Sequence, residues 1–233
     1  SGSLKPAVSA LNLDLTPQCN LGCVYCYAGG GDYSSQDKVM RPETVIEALG
    51  QGSDFIDSSR DFRFEFFGGE PLFNAGAIKS VLEFEKKVRR REAGFEVFAD
   101  KIGGRIINRI STNLTSLDDD ILKLLAEGDF IISVSIDGAR KTQNAQRPYK
   151  TGEGSYDDII NNVKKIKAAA PHLTVVARIT VYSNPSGFLE ELKELVSLNI
   201  FDYCSVYCAA IGSSDGGGLS LAEEFKTSYR MMA

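Results

Sequence analysis

The stretch LNLDLTPQCNLGCVYCYAGGGDYS, residues 11–34, sets an alternating apolar run, LNLDL (11–15), directly against a loop that carries three of the chain's five cysteines. Alternation with period two marks a strand whose two faces differ. Comparable β-rich runs return at FRFEFF (62–67), RIINRIS (105–111), FIISVSI (130–136), LTVVARITVY (173–182) and FDYCSVY (201–207), each followed by a helical pattern. Pro42 stands at a first-turn position ahead of Val45, Ile46 and Leu49, where its missing N–H costs nothing. Ser116 with Asp119, Ser155 with Asp158 and Ser220 with Glu223 have capping-box spacing, while Gly128 and Pro171 are stop signals. Strand–helix units repeated in this way call for an α/β fold of parallel strands with right-handed crossovers. A complete eight-unit barrel takes about 250 residues. Six units in 233 residues therefore predict a partial (β/α)6 TIM-type barrel, open along one side, with its chemistry at the strand carboxyl ends.

Composition bounds what such a barrel can do. With 43% hydrophobic residues the chain can bury one sizeable core. The expected organisation is a tag or leader segment opening SGS (1–10), one barrel domain (11–212), then a glycine-rich linker and the start of a helix (213–233). A formal net charge of −5 offers no broad field for nucleic acid, and the basic run KKVRRRE (86–92) reads as the solvated end of a helix. No run approaches the roughly twenty apolar residues of a membrane span, and no signal peptide is apparent. The expectation is a cytoplasmic protein with neither nucleic acid nor membrane as partner.

The loop after the first strand, from Thr16 to Arg41, is longer than most such connections, and long loops in compact domains are usually functional or disordered. Within it Cys19, Cys23 and Cys26 form CxxxCxxC, too closely spaced for a disulfide framework. The only histidine, His172, lies far off in sequence, so a closed four-ligand zinc site fits poorly. Three thiolates suit a [4Fe–4S] cluster with one iron left open to another ligand; lone structural cysteines are the bland alternative. Cys204 and Cys208, four apart on the sixth strand, share a face about 13 Å apart. They read as buried strand cysteines or, more sharply, as an auxiliary-cluster ligand or a substrate-side thiol.

The second strand ends FFGGEP (66–71). Gly68 and Gly69 let backbone approach a ligand without Cβ obstruction, Glu70 can accept from an ammonium and Pro71 stiffens the turn; an ordinary turn would use the same glycines. STN (Ser111, Thr112, Asn113) ends the third strand, SIDG (Ser135 to Gly138) the fourth, and Arg147 follows in ARKTQNAQRPY. Ser111 and Asn113 also suit strand-end caps, and Arg147 an ordinary surface arginine.

The cysteine motif after the first strand of a partial barrel resembles the radical S-adenosylmethionine (radical SAM) superfamily. That resemblance implies a [4Fe–4S] cluster on Cys19, Cys23 and Cys26 whose open iron chelates the amino and carboxylate groups of S-adenosylmethionine. Reductive cleavage then gives methionine and a 5′-deoxyadenosyl radical that abstracts a substrate hydrogen. It also implies that Tyr27 is the motif's aromatic residue and that Gly68, Gly69, Glu70 and Pro71 bind the methionyl amino group. Ser111, Asn113, Ser135 and Asp137 would help hold ribose and carboxylate, with Arg147 facing the carboxylate. Related sequences often carry His-Asp where this chain has Gln143 and Asn144, which leaves those two positions without an implied role. CNLGCVYCY, FFGGEPL, STNLTSLDDDIL, SIDGARKTQNAQR and GEGSYDDIINNV together are similar to the branch of anaerobic sulfatase-maturing enzymes and thioether-forming maturases of ribosomal peptides. The implied partners are a peptide or protein substrate and a reductant such as flavodoxin or ferredoxin, the alternatives being formylglycine maturation or a small-molecule substrate. Relatives of this branch carry a carboxyl-terminal SPASM or twitch extension with further cluster cysteines, which this chain lacks; either a piece is missing or the chain is a minimal member.

Overall fold

The computed structural model describes residues 7–26, 28–29, 39–182 and 187–208. Along the chain run β1 (Ala10–Asp14), α1 (Glu43–Gly52), β2 (Phe62–Phe67), α2 (Ala75–Arg89), α3 (Glu96–Lys101), β3 (Ile106–Thr112), α4 (Asp119–Glu127), β4 (Ile131–Ser135), α5 (Arg140–Gln146), α6 (Tyr156–Ala169), β5 (Thr174–Val181), α7 (Phe188–Ser197) and β6 (Tyr203–Cys208). The strands form one six-stranded sheet in sequence order, and the described registers of β1 with β2, β2 with β3 and β5 with β6 are parallel. The expected succession of strand and helix is borne out. The chain divides into two compact units, one comprising residues 1–19, 31–112 and 117–132, the other residues 20–30, 113–116 and 133–233.

In the first unit, β2 alternates buried and half-buried residues, Phe62, Phe64 and Phe66 being the buried set. Aromatic side chains favour a pleated, half-buried surface, and burying each of these rings stabilises the unit by about 1.5–3 kcal/mol. The Phe66 and Phe130 rings meet at 5.2 Å, and α2 adds Ile78, Val81, Leu82 and Phe84 to the core. Asn108 of β3 sits in this layer, donating to the Glu85 carboxylate on α2 (2.8 Å) and to the Gly128 carbonyl after α4 (2.9 Å). That contact fixes which face of β3 looks toward the helices. The run KKVRRRE indeed ends α2, with Lys86, Lys87 and Arg89 in its last turn, where cations favour the helix dipole.

In the second unit, Ile159, Val163 and Ile166 line one face of α6 at helical spacing, and β5 buries Val175, Ala177, Ile179 and Val181 on one side only. Asp202 holds the entry to β5, accepting from Val175 N–H (2.7 Å) and from the Lys167 ammonium.

Helix starts depart from the sequence reading in detail. Pro42 is the N-cap of α1 rather than its first helical residue, and Ile46 stays 43% exposed while Val45 and Leu49 are buried. The cap of α4 is Asp118, whose carboxylate accepts from Ile121 N–H (2.7 Å), not Ser116. An extended aspartate two residues nearer the helix outcompetes the serine because its oxygen reaches the exposed N–H groups. Asp118→Ala is therefore expected to cost about 1 kcal/mol and Ser116→Ala almost nothing, as checked by urea denaturation of both. Ser155 does precede α6, but its hydroxyl donates to the Arg147 carbonyl (2.7 Å) and accepts from Gln143 Nε2 (3.0 Å). Asp158, its expected reciprocal partner, instead accepts from Tyr149 (2.7 Å), and burial together with that carboxylate pushes the Tyr149 hydroxyl up to about 12. Gly128 and Ala170 end α4 and α6 as the stop signals indicate. Ser220, Glu223 and the segment 213–233 lie outside the described residues.

Candidate cofactor site

In the first unit the GGEP turn grips the start of the cysteine loop. Leu15 N–H donates to Phe67 C=O (2.9 Å), Gly69 N–H to Thr16 C=O (2.7 Å) and Glu70 N–H to Gln18 C=O (2.7 Å). The chain from 15 to 18 is thus laid along 67–70, and half-buried Cys19 is the next residue. The glycines are required by this approach: a Cβ on Gly69 would lie 2.4 Å from both the Pro17 and Gln18 carbonyl oxygens, and one on Gly68 would lie 2.5 Å from Thr16 O at a φ of +147°. What approaches the turn among the described residues is the protein's own loop, the ordinary-turn use of the two glycines that the sequence reading set beside the ligand one. Glu70 is 1% exposed and caps the following turn, Pro71–Asn74, with Oε1 accepting from Leu72 N–H (3.1 Å) and from Thr112 Oγ1 (2.6 Å). Its carboxylate is thereby fixed, and Pro71 is buried at the turn's first position.

In the second unit the loop residues 20–24 pair with 146–150 as a short antiparallel ladder. Gly22 N–H donates to Pro148 C=O (2.8 Å), Val24 N–H to Gln146 C=O (2.9 Å) and Lys150 N–H to Asn20 C=O (3.0 Å), with Leu21 bridged to Tyr149. Cys23 and Cys26, both half-buried, are linked by a turn in which Cys26 N–H donates to Cys23 C=O (3.1 Å).

Against this loop sits a polar cluster. Arg147 Nε donates to Asp137 Oδ2 (2.9 Å), Nη2 to Thr180 Oγ1 (3.2 Å), and Nη1 lies 4.0 Å from Cys23 Sγ. The guanidinium also lies over the Tyr25 ring, 5.2 Å from its centre. Tyr25 donates its hydroxyl to Asp137 and packs on Tyr182 at 5.2 Å between ring centres. Asp137 is fully buried, and its remaining oxygen accepts from Thr180 N–H (2.9 Å). Burial alone works against a charged guanidinium, but Asp137, then Tyr25, overrides it and holds Arg147 above its ordinary value. Burial lifts the Tyr25 hydroxyl far above its ordinary range; Arg147 pulls it back only in part, and Asp137 adds to the rise. Tyr25 therefore stays protonated as a donor. Arg147 is not the surface arginine its sequence context allowed.

Gln143 and Asn144, left without an implied role, support this cluster from behind. Fully buried Gln143 accepts from Asp137 N–H through Oε1 (2.8 Å) and reaches Ser155 through Nε2, while Asn144 accepts from Tyr156 N–H (3.0 Å). Asn113 closes a third polar knot, its Oδ1 accepting from Thr115 N–H (3.0 Å) and its Nδ2 donating to Asn20 Oδ1 (2.9 Å). It thus ties the third strand's end to the cysteine loop, nearer to a cap than to an open ligand group. Ser111 and Ser135 are half-buried at the ends of β3 and β4, and Tyr27 lies outside the described residues. Tyr25 and Thr180 are the residues sequence reasoning missed; an aromatic directly before the third cysteine was the available signal for the first.

Cys204 and Cys208 are both exposed, which corrects their expected burial. They pair in register with Ala177 and Val181, on the sheet face opposite to Thr180, so neither is a thiol on the Arg147 side. His172 is exposed between α6 and β5, remote from the carboxyl ends of the strands.

All five cysteines are thiols, and among the described residues no group of three or more His, Cys, Asp and Glu side chains is gathered closely enough to hold a metal ion. The donor chemistry nonetheless fits an iron–sulfur cluster: three partly exposed thiols on one loop, its segments fastened to backbone on both sides. Six parallel strands with the chemistry-bearing loops at their carboxyl ends define a partial TIM-type barrel enzyme. The family model of the radical SAM superfamily matches residues 13–198, and the chain belongs to that superfamily, whose cofactors are S-adenosylmethionine and a [4Fe–4S] cluster. A serine-type anaerobic sulfatase-maturating enzyme of Bacteroides thetaiotaomicron is 25% identical over 213 residues, covering 88% of this chain and 48% of its own. Among solved structures, native anSMEcpe with bound AdoMet and the Cp18Cys peptide matches with a TM-score of 0.70 and 19% identity over 96% of this chain and 58% of that one. Streptococcus suis SuiB bound to the precursor peptide SuiA matches at 0.65 and 15% identity, over 97% of this chain and 47% of that one. The chain spans about half the length of the curated relatives it matches. Among the described residues no helix is long and apolar enough to cross a membrane.

Proposed function

We propose that this chain holds a [4Fe–4S] cluster through Cys19, Cys23 and Cys26, binds S-adenosylmethionine beside it, and uses that pair to abstract hydrogen from a peptide or protein. The substrate class we favour is a ribosomal peptide matured by a bond such as a thioether crosslink. When bound, the pair would supply reductive cleavage of the sulfonium, by one electron from a reductant of the flavodoxin or ferredoxin type, and hydrogen-atom abstraction from the substrate, giving methionine and 5′-deoxyadenosine; closing a thioether from the resulting carbon radical and a thiol would release one further electron, to an iron–sulfur acceptor, and one proton. The protein's own share is positioning and electrostatics. Of the five N–H donors of Arg147, Asp137, Thr180 and Cys23 engage three, and the remainder suit a carboxylate. Tyr25 offers an apolar ring face beside them, and Gly68 to Pro71 hold the loop that leads to Cys19.

The observation that carries this reading is the Arg147–Asp137–Tyr25 cluster seated against Cys23: a buried, fixed cation beside one proposed ligand thiol has no need in a merely structural loop. Peptide-bound neighbours of the same fold support the substrate class. The sulfatase-maturating relative favours formylglycine formation as the second reading; a hydrazide probe, which reacts with formylglycine and not with a thioether, separates the two on a modified substrate. The test of the core reading is anaerobic cluster reconstitution followed by dithionite and S-adenosylmethionine. Equal amounts of 5′-deoxyadenosine and methionine are expected, and iron–sulfur loading without cleavage would overturn it.

A further inference from the structure

The inner face of the first unit's sheet carries charges where a closed barrel carries branched apolar layers. Asn108 touches α2 and the end of α4, so the alternate residues Ile107, Arg109 and Ser111 look the other way. On β2 the buried phenylalanines take the helix side, which leaves Arg63, Glu65 and Phe67 on that same inner face. Register aligns Asn12 with Glu65 and Glu65 with Arg109 in one row, while Arg63 sits one row toward the strand amino ends, beside Ile107. Both guanidiniums reach one oxygen, Glu65 Oε1: Arg63 Nε at 3.5 Å and Arg109 Nη1 at 3.5 Å. The three side chains keep 43%, 28% and 44% of their surface for Arg63, Glu65 and Arg109. Asp14, the other acid on this face, lies a row nearer the carboxyl ends, close to the Gly68 turn.

These contacts are too long for good hydrogen bonds, and exposed ion pairs of this kind contribute little to stability. Within this row one carboxylate divided between two guanidiniums leaves one positive charge in surplus, Asp14 lying a row away, and among the described residues most of each planar fork has no further partner. A fork of that kind matches a second carboxylate through paired N–H bonds. The row lies below the strand carboxyl ends, on the face of the sheet turned away from α2 and α4.

We propose that Arg63 and Arg109, held apart by Glu65, form a subsite for an acidic side chain of the peptide substrate. This rests on the reading of a peptide substrate given above. Glu65 then acts as a placeholder that orients both arginines and competes with the incoming carboxylate, so that removing it strengthens the site.

The probe is an amidated hexaglutamate peptide with a neutral dye, followed by fluorescence anisotropy on reconstituted, unreduced protein at low and physiological salt, with hexaglutamine as control. Wild type binds hexaglutamate and not hexaglutamine. Arg63→Gln and Arg109→Gln each weaken it about two- to fivefold, the range of a single exposed ion pair, and Glu65→Gln tightens it by a similar factor. Arg109→Lys, which keeps the charge and loses the fork, falls between wild type and Arg109→Gln. Circular dichroism melts identify any variant that fails to fold, and Glu65→Gln alone then decides. No binding of hexaglutamate by wild type, unchanged binding in both arginine variants, or weaker binding in folded Glu65→Gln overturns the proposal; so does tighter binding of free glutarate than of the peptide. Because nothing is reduced or turned over, these readings are independent of whether 5′-deoxyadenosine forms, and a failure of either conclusion is seen separately.

Discussion

Cys23→Ala is expected to leave a folded protein that no longer assembles the cluster and forms no 5′-deoxyadenosine. Alanine there removes one sulfur and little else: the flanking N–H groups of Gly22 and Val24 are held by the Pro148 and Gln146 carbonyls, and those bonds do not involve the side chain. The half-buried thiol gives up some apolar surface and its contact with the Arg147 guanidinium at 4.0 Å, so the cost to stability is about 1 kcal/mol. Loss of one of three protein ligands should lower cluster content at least tenfold, read as iron and sulfide per chain and as the cluster's visible absorption. Cys204→Ala is the matched control, exposed on the sheet face opposite to Thr180, and should keep wild-type iron. If Cys23→Ala retains a full complement of iron and the control loses it, the assignment of ligands is wrong. Equal loss in both would point to damaged folding, which the denaturation curves of the two variants would show.

How much of this was legible beforehand follows from which physical signals are local. Strand positions were readable because alternation records two unlike environments at every second residue, and β2, with Phe62, Phe64 and Phe66 on one face and Arg63, Glu65 and Phe67 on the other, is a clear case. Cap identity was less readable. Ser116 and Asp118 both suit an N-cap, and the choice goes to the residue whose backbone is extended and whose side chain reaches Ile121 N–H, which composition does not encode. The glycines of FFGGEP announced a close approach but not its partner, since the Thr16–Gln18 backbone that fills the space is about fifty residues away in sequence.

Burial was the least legible quantity at the candidate site. Arg147 looks like any arginine in a polar segment, and only the fold brings Asp137, Thr180 and Tyr25 around it. Gln143 and Asn144 stand where related sequences often carry other residues, yet the structure gives both firm positions: one holds the Asp137 backbone, the other the start of α6. The two cysteines of β6 show the converse: period two placed them on one face correctly, but which faces are covered depends on neighbours that a strand pattern does not contain.

Gly69→Ala is the prediction that ties this scaffold to the chemistry. An added Cβ would meet the Pro17 and Gln18 carbonyl oxygens at 2.4 Å and the Gln18 carbonyl carbon at 2.7 Å, all of them backbone, so no side chain can swing aside. Either the turn or the loop must shift, and with it the bonds from Gly69 N–H to Thr16 C=O and from Glu70 N–H to Gln18 C=O. Two hydrogen bonds at about 1 kcal/mol each, with some overpacking strain, give an expected loss of roughly 2–4 kcal/mol in chemical denaturation. The same shift moves the residue before Cys19, so cluster loading should fall alongside stability, though less completely than on removing a ligand. Gly50→Ala separates this from any general effect of alanine, because Gly50 lies exposed in α1 with open space around it and should gain about 0.5–1 kcal/mol instead. A Gly69→Ala protein with wild-type stability and full iron would mean that the 15–18 segment is free to move away from the turn, and the two glycines would then have to be explained by a ligand that approaches them directly.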